Sequence, residues 1–191
     1  MLRSVYAARA PAAELACPHR PPCPGCPRWG EPGLAAPALR ELAALCAESG
    51  TGAPAVVEGP ALGHRHRARL MVRGRTGAPK IGLFQAGSHR VVDIPRCGVH
   101  HPRINEVAAA LRRAIRATGT RPYAERPHSG ELRAMQVAVE RASGRAQVSL
   151  VACSDDPHSL DALARALREE LGDALQGLFW NGNPERTNAI L

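Results

Sequence analysis

Aromatic residues are scarce in this sequence: Phe, Trp and Tyr together make 3% of its 191 residues. The stacking pairs expected of a typical RNA-recognition motif are therefore not visible. Lysine is almost missing too, with Lys80 the single example, so arginine carries the positive charge. No run of about 18 apolar residues occurs, which excludes a membrane-spanning helix. The alanine-rich opening, Met1 to Ala16, runs into Cys17 as a lipoprotein signal would. Arg3, Arg9, Pro11 and Glu14 interrupt any apolar stretch within it, so the chain reads as cytoplasmic.

What is present bounds the chain further. Apolar residues make 45% of it, enough for one sizeable core or two small ones. A net charge of +8 and a pI near 9.9 point to an anionic partner. Arginine's planar fork favours bidentate phosphate contacts. A GC-rich genome would bias usage toward arginine as well.

The six cysteines are unevenly placed. Three fall within Cys17-Pro-His-Arg-Pro-Pro-Cys23-Pro-Gly-Cys26, each followed by proline, and Cys97 stands far downstream in Asp93-Ile94-Pro95-Arg96-Cys97. The pattern is C-x5-C-x2-C with a remote fourth thiol. Four thiolates fit a tetrahedral zinc site or an iron–sulfur cluster. Structural zinc sites pair two short knuckles, and the x5 gap is loose for that; proline holds each preceding cysteine extended, which suits a loop wrapped around a cluster. Clustering and the lack of a signal segment weigh against three disulfides.

Periodicity divides the rest. Residues 1–36 form a cysteine-rich segment with little periodicity of its own, and 37–191 a mixed central domain. Pro37 to Ser49 reads as a helix with Leu39, Leu42, Leu45 and Cys46 on one face and Gly50 as terminator; Cys46 is read there as core. His64 to Arg73 alternates as a strand, with Arg65, Arg67, Arg69, Met71 and Arg73 on one side and Ala68, Leu70 and Val72 on the other. Its arginines either bind phosphate or are solvated and paired with carboxylates such as Glu58 or Asp93. Lys80 to Phe84 and Arg90 to Ile94 read as strands. A helix over Pro102 to Thr118 places Ile104, Val107, Ala108, Leu111 and Ile115 on one face and Arg112, Arg113 and Arg116 largely off it. Glu131 to Arg141 and Arg145 to Cys153 read as a hairpin. A second helix starts at the N-cap Asp156 with Pro157 first, buries Leu160, Leu163, Leu167 and Leu171, and stops at Gly172. Leu175 to Trp180 reads as a last strand, with Asn181-Gly182 as a hairpin turn. The fold class expected is α+β, its later part a β-α-β-β-α-β, ferredoxin-like arrangement.

Several segments agree, in order, with one family. They are the C-x5-C-x2-C cluster with Cys97; Gly63-His64-Arg65-His66-Arg67-Ala68-Arg69; Ile81-Gly82-Leu83-Phe84 to Ser88-His89-Arg90-Val91-Val92-Asp93-Ile94; Gly130-Glu131-Leu132-Arg133; and Gly177-Leu178-Phe179-Trp180-Asn181-Gly182-Asn183 to Asn188-Ala189-Ile190-Leu191. The chain from Cys17 onward resembles the N-terminal and central parts of the bacterial RNA (uracil-5-)-methyltransferases that carry a four-iron, four-sulfur cluster. The resemblance implies Cys17, Cys23, Cys26 and Cys97 as cluster ligands and Arg65 and Arg67 as RNA contacts; Arg69 and Arg73 share their face. His64 stands where that family usually has tyrosine, and the N-terminal RNA-binding barrel many members carry is not seen.

The family's S-adenosylmethionine loop, Asp-Pro-Pro-Arg-like segment and nucleophilic cysteine do not match any segment before Leu191, and Cys46 and Cys153 match no catalytic position. The closing 188–191 reads as a strand cut mid-course. The expectation is an RNA-binding portion unable to methylate alone, acting on ribosomal or transfer RNA with a catalytic half supplied elsewhere. In the whole enzyme the resemblance implies attack of a cysteine on uridine C6 and methyl transfer from S-adenosylmethionine to C5. A non-catalytic, metal-dependent nucleic-acid-binding module is the alternative, and a small electron carrier fits +8 less well. His19 and His100 are read as neighbours of the cluster, not ligands.

Overall fold

A computed structural model describes residues 16–31, 33–55, 57 and 59–186. The readings of 1–15, of Glu58 and of the ending 188–191 lie outside them. By compactness the described residues fall into two units: Cys17–Cys26 with the residues from Leu62 onward, and Pro27–Ala61.

In the Pro27–Ala61 unit the expected helix forms as α1 (Ala36–Glu48), with proline in its first turn. It buries no residue. Leu42 and Leu45 are exposed, and Leu39 and Cys46 half-buried, so the reading of Cys46 as core is corrected. An apolar stripe buries only where a second element faces it, and α1 is the one helix or strand of its unit among the described residues.

The other unit is one six-stranded sheet with two helices. Its elements are β1 (Arg67–Arg75), β2 (Ala78–Phe84), β3 (Val91–Asp93), α2 (Pro102–Thr118), β4 (Leu132–Val139), β5 (Ala146–Ala152), α3 (Asp161–Leu171) and β6 (Leu175–Gly182). The sheet order is β3-β2-β1-β4-β5-β6, antiparallel except for the parallel β5–β6 pair. Helices and strands follow one another as the periodicity predicts, but the ferredoxin-like pairing does not form. That arrangement needs β3 among the later strands. Here β3 closes a meander with β2 at the sheet edge, and β1 takes the place beside β4. The short connection after Phe84 favours this local pairing, because closing a few residues costs little chain entropy.

Ala68, Leu70 and Val72 of β1 point into one core with Met135, Val137, Val148 and Leu150 of β4 and β5 and the apolar faces of α2 and α3. The helix α2 starts at His101, whose Nδ1 accepts from Arg103 N at 3.2 Å, and ends at Gly119 with φ 73°. Arg112 departs from expectation: it is buried, and Nη2 donates to the Ile81 carbonyl at 3.1 Å and to the Asp93 carboxylate. Asp93 also accepts from Ile81 N at 2.8 Å, so its partner is a helix arginine rather than one of the strand arginines.

The last helix starts later than the Asp156 cap predicts. Asp156 accepts from His158 N at 2.9 Å in a separate turn, and the helix begins at Asp161. The side chain of Asp156 offers the backbone a local partner outside the helix, as Asx turns do. Asn181-Gly182 is likewise no turn. Both residues continue β6 opposite Val151 and Ala152, and Gly182 is required by a close approach, since a Cβ there would lie 2.6 Å from Trp180 Cη2 and 2.8 Å from the Ser154 carbonyl.

Candidate nucleic-acid interface

Alternation along β1 puts Arg67 and Arg69 on the sheet face opposite the helices, and strand register extends that face in rows. Arg69 stands opposite Gln136, Gln136 opposite Ser149, and Ser149 opposite Phe179. The next row runs Arg67, Ala138, Gln147, Gly177. These side chains line an open cavity of about 410 Å³. A second, of about 520 Å³, shares Arg67, Ala138 and Gln147 and adds Arg65, His66, Glu140, Arg141 and Gln176. Together they make a shallow, arginine-edged groove suited to a flexible anion.

Gln136 is set by Arg69. With its amide oxygen toward the guanidinium it accepts from Nε at 3.1 Å and from Nη2 at 3.0 Å. Glu140, in the β4–β5 turn, accepts from Ala142 N at 2.8 Å and Ser143 N at 2.6 Å. Hydrogen bonds from Ser143 and Ala142 hold its carboxyl down to about 2. His66 stacks on His101 at 4.9 Å, and desolvation first, then Arg141, His101 and His64, lowers its pKa.

Arg73, on the same face, is committed elsewhere. Its guanidinium donates to the carbonyls of Val72 (2.9 Å) and Arg133 (3.0 Å), pairs with Glu125 at 3.1 Å, and lies over the rings of Phe84 and Tyr123. Glu125 also meets His89 Nδ1 at 2.6 Å. Burial would raise the Glu125 pKa, but the bonds from Arg73 and His89 prevail and lower it. Buried Arg133 packs on Tyr123 at 4.6 Å and donates to Asn183. Gly130 permits the loop that carries these groups: its φ is 102°, and a Cβ there would meet the Pro122 carbonyl at 2.4 Å. This end of the face is closed by the protein itself.

The four predicted cluster cysteines belong to the same unit as the sheet. Each is a half-buried free thiol. Burial raises the Cys26 pKa, and Cys97, Cys23 and Cys17 raise it further, while Arg65 acts against them. Cys26 therefore lies near enough to the other three thiols and to Arg65 to feel their charge. Among the described residues no three His, Cys, Asp or Glu side chains are arranged to hold one metal ion.

The backbone around these thiols is tied down. Asn105 clamps Cys97 from both sides, Oδ1 accepting from Cys97 N at 3.2 Å and Nδ2 donating to its carbonyl at 3.1 Å. His19 Nε2 lies 3.0 Å from the Arg96 carbonyl, joining the cysteine loop to the Cys97 segment. Arg65 N donates to Val99 O at 2.9 Å, and His101 N to Arg65 O at 2.8 Å. His100 is buried, and desolvation and Arg65 lower its pKa to about 4.

Of the residues named from sequence, Arg65, Arg67 and Arg69 line this groove; Gln136, Gln147, Ser149 and Phe179, which line it from three further strands, were not named. The signal was alternation in those strands, where each occupies an outward position.

Sequence comparison supplies relatives. The chain is 39% identical over 184 residues to a protein of Protochlamydia amoebophila named an uncharacterized RNA methyltransferase, covering 92% of this chain and 46% of that protein. It is 31% identical over 138 residues to a similarly named protein of Nostoc, covering 72% of this chain and 30% of that one. The chain therefore spans less than half the length of these relatives. No family model matches it. Among solved structures it resembles the Pyrococcus abyssi tRNA (uracil-54, C5)-methyltransferase, which was determined with S-adenosyl-L-homocysteine: the TM-score is 0.59 at 20% identity, over 87% of this chain and 38% of that one. That likeness establishes a shared mixed α/β fold. The sequence relatives are named RNA methyltransferases.

Proposed function

We propose that this chain is the RNA-recognising portion of an S-adenosylmethionine-dependent RNA uracil-C5 methyltransferase, acting on ribosomal or transfer RNA. The observation that carries the reading is the arginine-edged groove on the open sheet face, in a chain whose relatives are named RNA methyltransferases. Its role is to bind and orient. Arg65, Arg67 and Arg69 hold phosphates, while Arg73 stiffens the closed end, since its Nη groups are engaged by Glu125 and two carbonyls. Methyl transfer also needs a methyl donor and a nucleophile, and this reading assigns neither to residues 37–191.

A four-iron, four-sulfur cluster is assigned in this reading to Cys17, Cys23, Cys26 and Cys97, with residues 1–36 as the cluster segment. The donor set fits. The four thiols lie in one unit, burial and then the other three thiols raise the Cys26 pKa, and the x5 gap between Cys17 and Cys23 is loose for a zinc knuckle. When bound, the cluster would tie the cysteine loop to the strand end and add its binding free energy to folding. The residues' own work is to hold that site: Asn105 fixes Cys97, and His19 fixes the loop.

Two measurements test this. Protein purified anaerobically is assayed for iron, sulfide and zinc; stoichiometric zinc without iron overturns the cluster assignment. Single-stranded RNA affinity is measured against salt. Three arginine–phosphate contacts at about −0.7 each predict a log–log slope of roughly −2. A slope near zero refutes the interface.

A further inference from the structure

The open face has a cationic end and an aromatic end. Phe179 is 54% exposed, unlike its neighbour Trp180, which packs against the core and whose Nε1 donates to Ser159 at 3.4 Å. Its ring lies over Gly177, where a Cβ would meet ring carbons at 3.1 and 3.2 Å. The glycine thus makes room for a ring lying along β6 instead of standing off it. Ser149, Gln136 and Arg69 follow in register on the next three strands. Gln136 turns its oxygen to Arg69, so its amide nitrogen is directed away from the guanidinium. An exposed aromatic ring followed along the row by a hydroxyl, an amide and guanidiniums matches an unpaired nucleobase attached to a phosphate chain.

From this row we infer that Phe179 is a stacking platform for one unpaired base of the RNA. The inference rests on the RNA-binding reading above and adds a base-contacting residue to it. Strands lie about 4.8 Å apart, so Arg69 and Phe179 are separated by three strand spacings, roughly 14 Å. The base on Phe179 is therefore not the one whose phosphate Arg69 holds, but one further along the strand. Stacking on an aromatic is tolerant of base identity, so Phe179 supplies affinity and placement rather than sequence preference.

The test uses the whole chain and a short fluorescent oligouridylate, read by anisotropy over a salt series, beside an abasic oligomer of the same length. Phe179→Ala should weaken oligouridylate binding roughly 5- to 150-fold, the range for loss of one stacked base. The salt slope should stay unchanged, because no phosphate contact is removed. Phe179→Tyr and Phe179→Trp should restore affinity, and the abasic oligomer should bind wild type and Phe179→Ala alike. If wild type binds oligouridylate with the expected slope but Phe179→Ala binds equally well, the stacking inference fails and the RNA-binding reading stands. Equal binding of intact and abasic oligomers by wild type overturns it equally, with no variant needed. If wild type binds no RNA, both fall.

Discussion

Removing the Asp93 carboxylate should be the most damaging polar substitution in the sheet. Asp93 accepts from Ile81 N at 2.8 Å and pairs with Arg112, whose side chain is 10% exposed. In Asp93→Ala the Arg112 guanidinium stays buried with its carboxylate gone, and Nε and Nη1 already have no partner. Breaking a buried pair from one side costs about 3–5 kcal/mol. Asp93 is itself 36% exposed, so water can reach the orphaned charge and the lower end, about 3 kcal/mol, applies. At 2–4 °C per kcal/mol for a chain of this size, Tm should fall by roughly 6–12 °C. Urea unfolding of Asp93→Ala, Arg112→Met and the double variant forms a cycle. The double variant should lose less than the two single losses summed, because removing Arg112 as well leaves no uncompensated charge. A loss below about 1 kcal/mol in Asp93→Ala, or simple additivity, would show that the pair does not hold β3 to the sheet. Asp93 lies four residues before Cys97 in sequence, so iron content should fall in the same variant.

Gly82→Ala should cost about 3 kcal/mol, the top of the range for overpacking, because a Cβ there would lie 1.8 Å from the Val92 carbonyl in the paired strand; equilibrium denaturation reads this directly. Asn105→Ala removes both bonds to the Cys97 backbone and should cost about 1–2 kcal/mol while lowering iron per chain, measured by iron assay beside wild type. The Glu140 carboxyl is depressed to about 2 in the folded state, so its stabilisation of the β4–β5 turn is fully present above its ordinary value near 4.5 and is lost as pH falls toward 2. Glu140→Gln should flatten that part of the stability–pH curve, and an unchanged curve would refute the assignment.

Of the sheet unit, the inward face was legible from sequence. Ala68, Leu70 and Val72 alternate with Arg67, Arg69 and Met71, and the period of two settles which set meets the core once one face is apolar. The helix α2 was legible for the same reason at period 3.6, down to Pro102 at its start and Thr118 at its end. Arg112 was misplaced because periodicity sorts residues by polarity, and a buried arginine is stable only where a particular carboxylate, Asp93, waits across the sheet. The α1 stripe failed in the opposite sense: its sequence is amphipathic, but burial depends on a facing element that no local pattern specifies.

The groove divides the same way. Each strand carries its own outward residues, so Arg67 and Arg69 could be named from β1 alone and Arg65 from the same alternation two residues before it. The row Arg69, Gln136, Ser149, Phe179 could not, because it exists only when β1, β4, β5 and β6 lie side by side in one register. Sequence alone determined the arginine charge, the cysteine spacing and the alternation of the strands, which are local properties of a chain with fixed backbone periods. Tertiary structure decided the strand order, the commitment of Arg73 to Glu125 and the placing of arginine and an exposed ring on one face. Those depend on pairings between residues far apart in sequence, chosen by packing and by loop-closure entropy rather than by any segment's own preference.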